Sequence, residues 1–558
     1  MQKNCKNCRK DFEITKRDSD FYLQVDAPEP NYCPECRMQR RLAFRNERTL
    51  YKRPCSLCKK DIVSLYPDKT DFPVYCHDCW WGDKWDAKNF GVEYDATKPF
   101  FEQFAKMEKG IPRLALNVLT SVNSEYTNNA GDNKNCYLLF AAEKNEDCLY
   151  GRLVQHCKSS VDCAFLYDSE LCYECIDCRE LYNSMYCERC QSSSDLLFCF
   201  DVRESNNCIF CVNGRHLSNV ILNQKYSKEE FLEKKKEIFS SHKKLEEAKK
   251  QFAELKRRAL VKHAFQTKCN DATGDYMFNC HEAKMVFDSS NAKACAYLAD
   301  AEDPIDTYDG NNIYYKPQLC YDMMGILQCY KCKHSAYVFY CNEVEYCDSC
   351  YNATSCFGCA GIKKGEYMIL NKQYTKEEYI EKKREIVENM KKEGVYGDFF
   401  PPNLSPFGYN EALVQEYSQM KEKEAKEKGF NWQNQATGTY GKETIQKIPE
   451  TIDDVTEEIL KGVLVCEECK KNFRITKSEL DFYKRMNIPL PHKDFECRHK
   501  DRMSKRNPRK LWHRSCMCKN KDHPTHLDIG CPNEFETSYS PDRPEVVYCE
   551  ICYQQEVS

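Results

Sequence analysis

The chain has 558 residues, a formal charge of −4 and a pI near 6.4. That length excludes a single compact domain, the charge excludes a uniformly basic nucleic-acid binder, and no apolar run approaches the roughly 18 residues of a membrane span. Thirty-nine cysteines, with no apolar signal core at the N-terminus, predict a cytosolic chain whose thiols are reduced and hold metal rather than form a disulfide framework.

The first predicted unit spans 1–118. Cys5, Cys8, Cys33 and Cys36 form two CxxC pairs 24 residues apart, and Cys55, Cys58, Cys76 and Cys79 repeat the arrangement with a 17-residue spacer. Two thiolates separated by two residues reach one tetrahedral ion from a tight turn, and a second turn closes the other half. Four thiolates leave no open position, so such sites are structural. Between the two sites, residues 37–53 hold seven Arg or Lys against one Glu. Arg37, Arg40, Arg41, Arg45, Arg48 and Arg53 are therefore candidate phosphate contacts. The aromatic stretch after Cys79, with Trp80, Trp81 and Trp85 as core anchors, is expected to dock these modules onto the solenoid predicted for the cysteine-rich middle of the chain.

Residues 119–225 carry twelve cysteines, from Cys136 to Cys211, whose separations are all multiples of three; rows of 21 residues stack Cys136, Cys157, Cys178 and Cys199. A sustained period of three fits neither a helix nor a long strand, and predicts a β-solenoid with a repeat of about 21 residues. Cysteine would be its small inward hydrophobe. Asn135, Asp147, Asp162, Asp177 and Asn207, each just before a cysteine, suit its corners. Residues 226–266 read as a helical linker opened by a capping box at Ser227 and Glu230, with 240–262 continuing that helix. A second array occupies 267–372, its cysteines from Cys320 onward again in one phase, and Thr375 with Glu378 forms a second capping box. For the array cysteines, core packing, further zinc and an iron–sulfur cluster are all open, although the CP-terminated cluster spacing is missing. Residues 373–458 read as a helical and loop linker, with a charged helix over 411–428 and another in "TIDDVTEEILKGVL".

The last unit, 459–558, repeats the first. "CEECKKNFRITKSELDFY" begins 461 residues after "CKNCRKDFEITKRDSDFY". Cys466, Cys469 and Cys497 match Cys5, Cys8 and Cys36, while Asp494 stands at the place of Cys33, so either His492, Asp494 or His499 supplies the fourth ligand or the site has decayed and binds weakly. Cys531, Cys549 and Cys552 need either Cys516 or Cys518 to complete their shell, and His523 and His526 in the intervening insert are expected to face solvent. Residues 498–514 hold eight Arg or Lys against one Asp, which adds Arg502, Lys505, Arg506, Arg509, Lys510 and Arg514 to the candidate phosphate contacts.

"CKNCRKDFEITKRDSDFY...CPECRMQRR" resembles the treble-clef zinc-ribbon family of bacterial proteins, and the whole layout is similar to cysteine-rich bacterial proteins that carry such ribbons at both ends. The resemblance covers residues 1–80 and 460–558 and implies a fold and Zn2+, not a reaction. The expected architecture is mixed and mainly β: zinc ribbon or treble-clef pairs at both termini flanking two cysteine-rich β-solenoid-like repeats with capping helices, with three to four structural zinc sites. No HExxH, P-loop, GxGxxG or GxSxG signature points to an enzyme or a small-molecule substrate. The expected function is zinc-dependent binding, with nucleic acid, including structured RNA, as partner. A protein-interaction scaffold and a redox or metal-storage protein are the alternatives.

Overall fold

The computed structural model describes every residue except 302–303, 312–320, 331–336, 435–437, 521–522, 524–525, 527–529 and 558. Strand outweighs helix, 30% against 24%, and cysteine clusters lie near both termini. No described helix is long and apolar enough to cross a membrane.

From Val118–Leu119 to Ser218–Ile221, each strand pairs in parallel with the next along the chain. The register is constant: Arg152 lies beside Ala164, Ala164 beside Ile176, and Asn206 beside Ser218. Bridges outside the strands, such as Lys134 to Glu146 and Phe200 to Val212, keep the same offset. One turn of this stack is therefore twelve residues, not 21. Twelve and 21 share the factor three, and three is the unit that matters, because every third residue adopts a left-handed conformation, as at Asn135, Leu138, Ala141, Lys144 and Asp147. Each turn thus has four corners. The phase of the cysteines reports which position of a side they occupy and leaves the number of sides open.

The corner conformation costs roughly 1–2 kcal/mol for most L-residues, and Asn and Asp adopt it most readily. Asp162 and Asp177 are such corners, both at φ 56°. Cys163, Cys175, Cys187, Cys199 and Cys211 stack one turn apart and are all but fully buried. Each thiol lies within donating distance of the carbonyl two residues back, and Cys175, Cys199 and Cys211 also reach the carbonyl nine residues ahead, as from Cys175 Sγ to Ser184 O at 3.4 Å. Serine takes the same position elsewhere, with Ser184 Oγ donating to Tyr182 O and accepting from Leu196 N. A three-residue side leaves such carbonyls facing inward, and a small side chain with one donor satisfies them.

The second stack, from Gln266–Thr267 through Lys364–Ile369, uses the same twelve-residue register, with Ala296 beside Tyr308 and Asn342 beside Thr354. Cys320 and Cys332 lie outside the described residues. One irregularity lies near its start: Ala272 pairs with Ala283, one residue short, and the register recovers at Gly274 opposite Val286. Gly274 sits at φ +138°, where a Cβ would fall 1.8 Å from the Val286 carbonyl oxygen. Gly274→Ala is expected to destabilise this stack by about 1–3 kcal/mol through backbone strain alone, read as a lower urea midpoint with an unchanged slope.

Each stack ends in a short antiparallel return, Val220 beside Lys225 and Met368 beside Gln373, then a helix whose capping box is formed as expected by Ser227 and Glu230 or by Thr375 and Glu378. The first linker is not one continuous helix. Lys228–Ile238 ends, and Ser241 caps a new helix over His242–Arg257. Nor is 411–428 one charged helix; it holds the short helices Val414–Tyr417 and Glu422–Glu427, and "TIDDVTEEILKGVL" forms only the single 3-10 turn Glu457–Leu460.

The two ends of the chain cross over. The Pro34–Leu42 helix of the N-terminal lobe packs on the second stack at Tyr308–Asn311, whereas the Phe495–Met503 helix of the C-terminal lobe packs on the first stack at Leu149–Gln155. Equivalent aromatics anchor both: Tyr22 meets Tyr308 and Tyr321, and Tyr483 meets Tyr173. A second pair of contacts runs the other way. Val74–Tyr75 of the N-terminal lobe pairs with Arg113–Leu114 at the entry to the first stack, and Val546–Tyr548 of the C-terminal lobe pairs with Leu260–Lys262 at the entry to the second. Each lobe therefore touches both stacks.

Candidate metal centres

A left-handed residue follows the first CxxC pair of each of three groups: Arg9, Lys59 and Lys470 have φ of 63°, 65° and 64°. The first cysteine of each pair donates its backbone N–H across that turn, to Lys10 O, Lys60 O and Lys471 O at 2.8–2.9 Å. These turns aim two sulfurs at one point. The second pair comes from a helix start, Cys33 and Cys76 capping the Pro34–Leu42 and His77–Trp81 helices, with Cys36 and Cys79 in the first turn.

Four groups of ligand atoms result, each within 4.8 Å of one another: Cys5, Cys8, Cys33 and Cys36; Cys55, Cys58, Cys76 and Cys79; Cys466, Cys469, Asp494 and Cys497; and Cys516, Cys531, Cys549 and Cys552. A tetrahedron with metal–sulfur bonds of about 2.3 Å has sulfur–sulfur edges of about 3.8 Å. Cys8 to Cys33 is 3.7 Å, Cys58 to Cys76 is 3.8 Å and Cys531 to Cys549 is 3.9 Å. The cages thus have the dimensions of a tetrahedral thiolate centre. Backbone amides also aim at the sulfurs, from Cys33 N to Cys5, Cys76 N to Cys55, and Cys549 N to Cys516, at 3.2–3.4 Å. Burial pushes the Cys5 thiol up, but the amides of Cys33, Cys8 and Asn7 outweigh it and bring it down to about 7. The same opposition brings Cys55 down to about 6, while burial and neighbouring thiols push Cys8, Cys33, Cys76 and Cys79 up, so one thiol of each cage is favoured as the thiolate.

At the third group the ligand left open by the sequence is Asp494, not His492. Its neighbours explain why His492 stays away: its ring stacks on His242 at 3.5 Å and its Nδ1 lies 2.7 Å from Glu467. His499 is likewise engaged, with Glu416 at 3.1 Å. Asp494 caps the Phe495–Met503 helix through Cys497 N and accepts from Cys469 Sγ at 2.8 Å. That contact is shorter than the sulfur–oxygen edge of a tetrahedral metal site, so the cage would have to open to take an ion. Asp494→Ala is expected to remove one metal equivalent and about 1 kcal/mol of capping energy; Asp494→Cys restores the equivalent, as measured by elemental analysis of the purified variants. At the fourth group the choice falls on Cys516. Cys518 turns to the other side, and His523 and His526 are not solvent-facing but 5% and 6% exposed.

The candidate phosphate contacts are used inside the chain. Arg37 pairs with Asp309 at 2.9 Å, and Arg41 with Asp309 and Asp322. At the equivalent positions of the C-terminal lobe, Arg498 pairs with Asp162 at 2.9 Å, and Arg502 with Asp162 and Glu174 at 3.1 and 2.9 Å. Arg506 reaches Asp177 and Asp288, and Arg509 reaches Asp288 and Asp300. Arg40 donates to Phe399 and Phe400 carbonyls, Arg45 pairs with Glu47, Arg48 with Glu496, and Arg53 donates to Pro67 O. The nine arginines among these that the sequence marks as phosphate contacts are at most 9% exposed, which corrects the reading of these runs as open basic faces. A guanidinium that has lost its water is matched by a carboxylate in the same chain instead of by a phosphate. Of the remaining three, Lys505 lies 3.7 Å from Glu188, Lys510 sits over Trp512, and Arg514 donates to Ser540 O.

The acceptors Asp162, Glu174, Asp288, Asp300, Asp309 and Asp322 do not stand out in the sequence as partners. Their spacing carries the signal, since Asp162 and Glu174, like Asp288 and Asp300, lie one twelve-residue turn apart. Among the array cysteines, the described residues bring no three sulfurs into metal-binding reach, and their thiols donate to backbone carbonyls instead.

Comparison with family models, with curated proteins and with solved structures finds no match to this chain.

Proposed function

We propose that the protein is a zinc-dependent, non-catalytic scaffold, in which the terminal lobes are treble-clef-like modules that staple two four-cornered solenoids into one rigid body, and that its partner is a protein bound on the outer faces of those solenoids. The observation that supports this over nucleic-acid binding is the inward turn of the arginines. A phosphate-reading surface keeps its cations available, and here nine of them are matched by the chain's own acceptors. The test is a fluorescence-anisotropy titration of the intact zinc-loaded protein with single-stranded RNA and duplex DNA across a salt series. The scaffold reading expects no binding tighter than about 100 µM near physiological salt. Micromolar binding with a steep salt slope, lost in an Arg514→Glu, Lys510→Glu variant, would restore nucleic acid as the partner.

A second reading has a specific observation in its favour. A cavity of about 700 Å³ is bordered by Cys469 and Cys497 of the carboxylate-completed group and by Glu416 and His499. A metal held there by three thiolates and one carboxylate is reachable from the cavity, which suits exchange or a reactive centre better than a purely structural one. Metal release to a chromogenic chelator separates the two readings: a single fast equivalent, abolished in Asp494→Cys, supports an exchangeable centre, and uniformly slow release supports the scaffold.

A further inference from the structure

The insert between Cys518 and Cys531 brings three side chains that the tetrathiolate does not explain, Cys518, His523 and His526, against its Cys552. Cys518 Sγ lies 3.4 Å from His523 Nδ1, and Cys552 Sγ lies 3.3 Å from His526 Nε2. All four ligand atoms fall within 4.8 Å of one another, and all four residues are buried. A tetrahedral ion with bonds of about 2.3 Å to sulfur and about 2.05 Å to nitrogen has sulfur–nitrogen edges of about 3.5 Å, so both distances are those of a shared metal. The supporting contacts are also those of a ligand set. His523 presents Nδ1 to the cluster while its Nε2 faces Glu556 at 3.2 Å, and Asn520 Nδ2 holds that carboxylate at 2.8 Å. A carboxylate behind the far ring nitrogen is how metal-bound histidines are oriented. His526 aims Nε2 inward, and its Nδ1 is buried with no hydrogen-bond partner among the described residues.

We propose that Cys518, His523, His526 and Cys552 form a fifth divalent-cation site, and that Cys552 is a bridging thiolate shared with the site of Cys516, Cys531 and Cys549. Each ion then has four ligands, three of its own and one in common. The charge balance favours the pair. One zinc on four thiolates leaves two formal negative charges in a buried setting, whereas five thiolates around two ions leave one. This site is independent of whether the molecule acts as a scaffold.

The experiment uses the full chain, purified under reducing conditions and loaded with Zn2+ or Co2+. Elemental analysis of a His523→Ala, His526→Ala variant is expected to show one zinc equivalent fewer than the wild type, with Cys518→Ser giving the same loss. An unchanged count in either variant overturns the site. Because the insert variants could also disturb the neighbouring tetrathiolate, the wild-type Co2+ protein supplies a second readout that needs no substitution. A thiolate-bridged pair couples its two high-spin ions, so the electron paramagnetic resonance signal per cobalt falls as the last equivalent is added. Strict proportionality between signal and cobalt up to saturation overturns the bridge, whatever the variants do.

Discussion

A chelator under reducing conditions is expected to make both ends of the chain protease-sensitive while the two stacks stay intact. Immediately around the first site the apolar packing is built of Cys5, Cys33 and Cys36 themselves, with Phe12 and Tyr32 at its edge, and around the last site of Cys516, Cys518, Cys549 and Cys552; other apolar side chains of the lobes, such as Tyr22 and Tyr483, pack in clusters shared with the stacks. Structural thiolate sites of this kind contribute about 10–16 kcal/mol of apparent binding energy, and where the local core is the ligands themselves that energy is folding energy. The first stack, by contrast, buries continuous columns of Cys, Leu and Val. Limited proteolysis with mass spectrometry reads the result directly: cleavage after chelation should concentrate in 1–80 and 460–558. Cys36→Ser should reproduce the N-terminal half of that pattern alone. Lobes that remain resistant without metal would show that docking on the stacks suffices to fold them.

The second large effect is expected at the buried arginines. Arg41→Met strips Asp322 of its ion pair and leaves Asp309 to Arg37, and Arg502→Met strips Glu174 and leaves Asp162 to Arg498. Arg41 and Arg502 are fully buried, so each change breaks a buried pair and leaves one carboxylate without its partner, at a cost of about 3–5 kcal/mol. Burial already pushes the Asp322 carboxyl up, with Arg41 drawing it back down, so losing Arg41 leaves an acid that protonates rather than ionises. Hydrogen exchange across the Pro34–Leu42 and Phe495–Met503 helices is the measurement: protection should fall in the helix whose arginine is replaced. Adding Asp322→Leu to Arg41→Met should recover a good part of the loss, because a matched apolar contact replaces a broken ionic one while Asp309 keeps Arg37. No recovery would mean that the arginine acts through packing, not charge.

What the sequence disclosed was what is local. The CxxC turns, the two capping boxes and the Asp or Asn corners depend on residues a few positions apart, and each is where the spacing put it. The length of the turn was not legible, because a period of three is common to a four-sided coil and to rows of 21. Cysteine marks a position on a side, not a number of sides. The destination of the basic segments was hidden for a different reason. Arg37, Arg41, Arg498 and Arg502 read identically whether they meet phosphates or aspartates, and the aspartates are some 270 to 340 positions away. His523 and His526 were misjudged because an insert rich in Lys and Asp reads as exposed, whereas two histidines within reach of an unassigned Cys518 outweighed that composition.

The crossed docking of the lobes bears on how this chain is made. Arg37 emerges from the ribosome 272 residues ahead of Asp309, so at roughly 5–20 residues per second the first lobe waits on the order of 15–50 s for the surface it closes on. During that interval its arginine row is unmatched. The C-terminal lobe faces no such delay, since its seat on the first stack is complete long before it is synthesised. If the first cage holds an ion, as proposed above, the early lobe is a nascent intermediate that depends on prompt metallation, and the late one a latch that shuts on a finished frame.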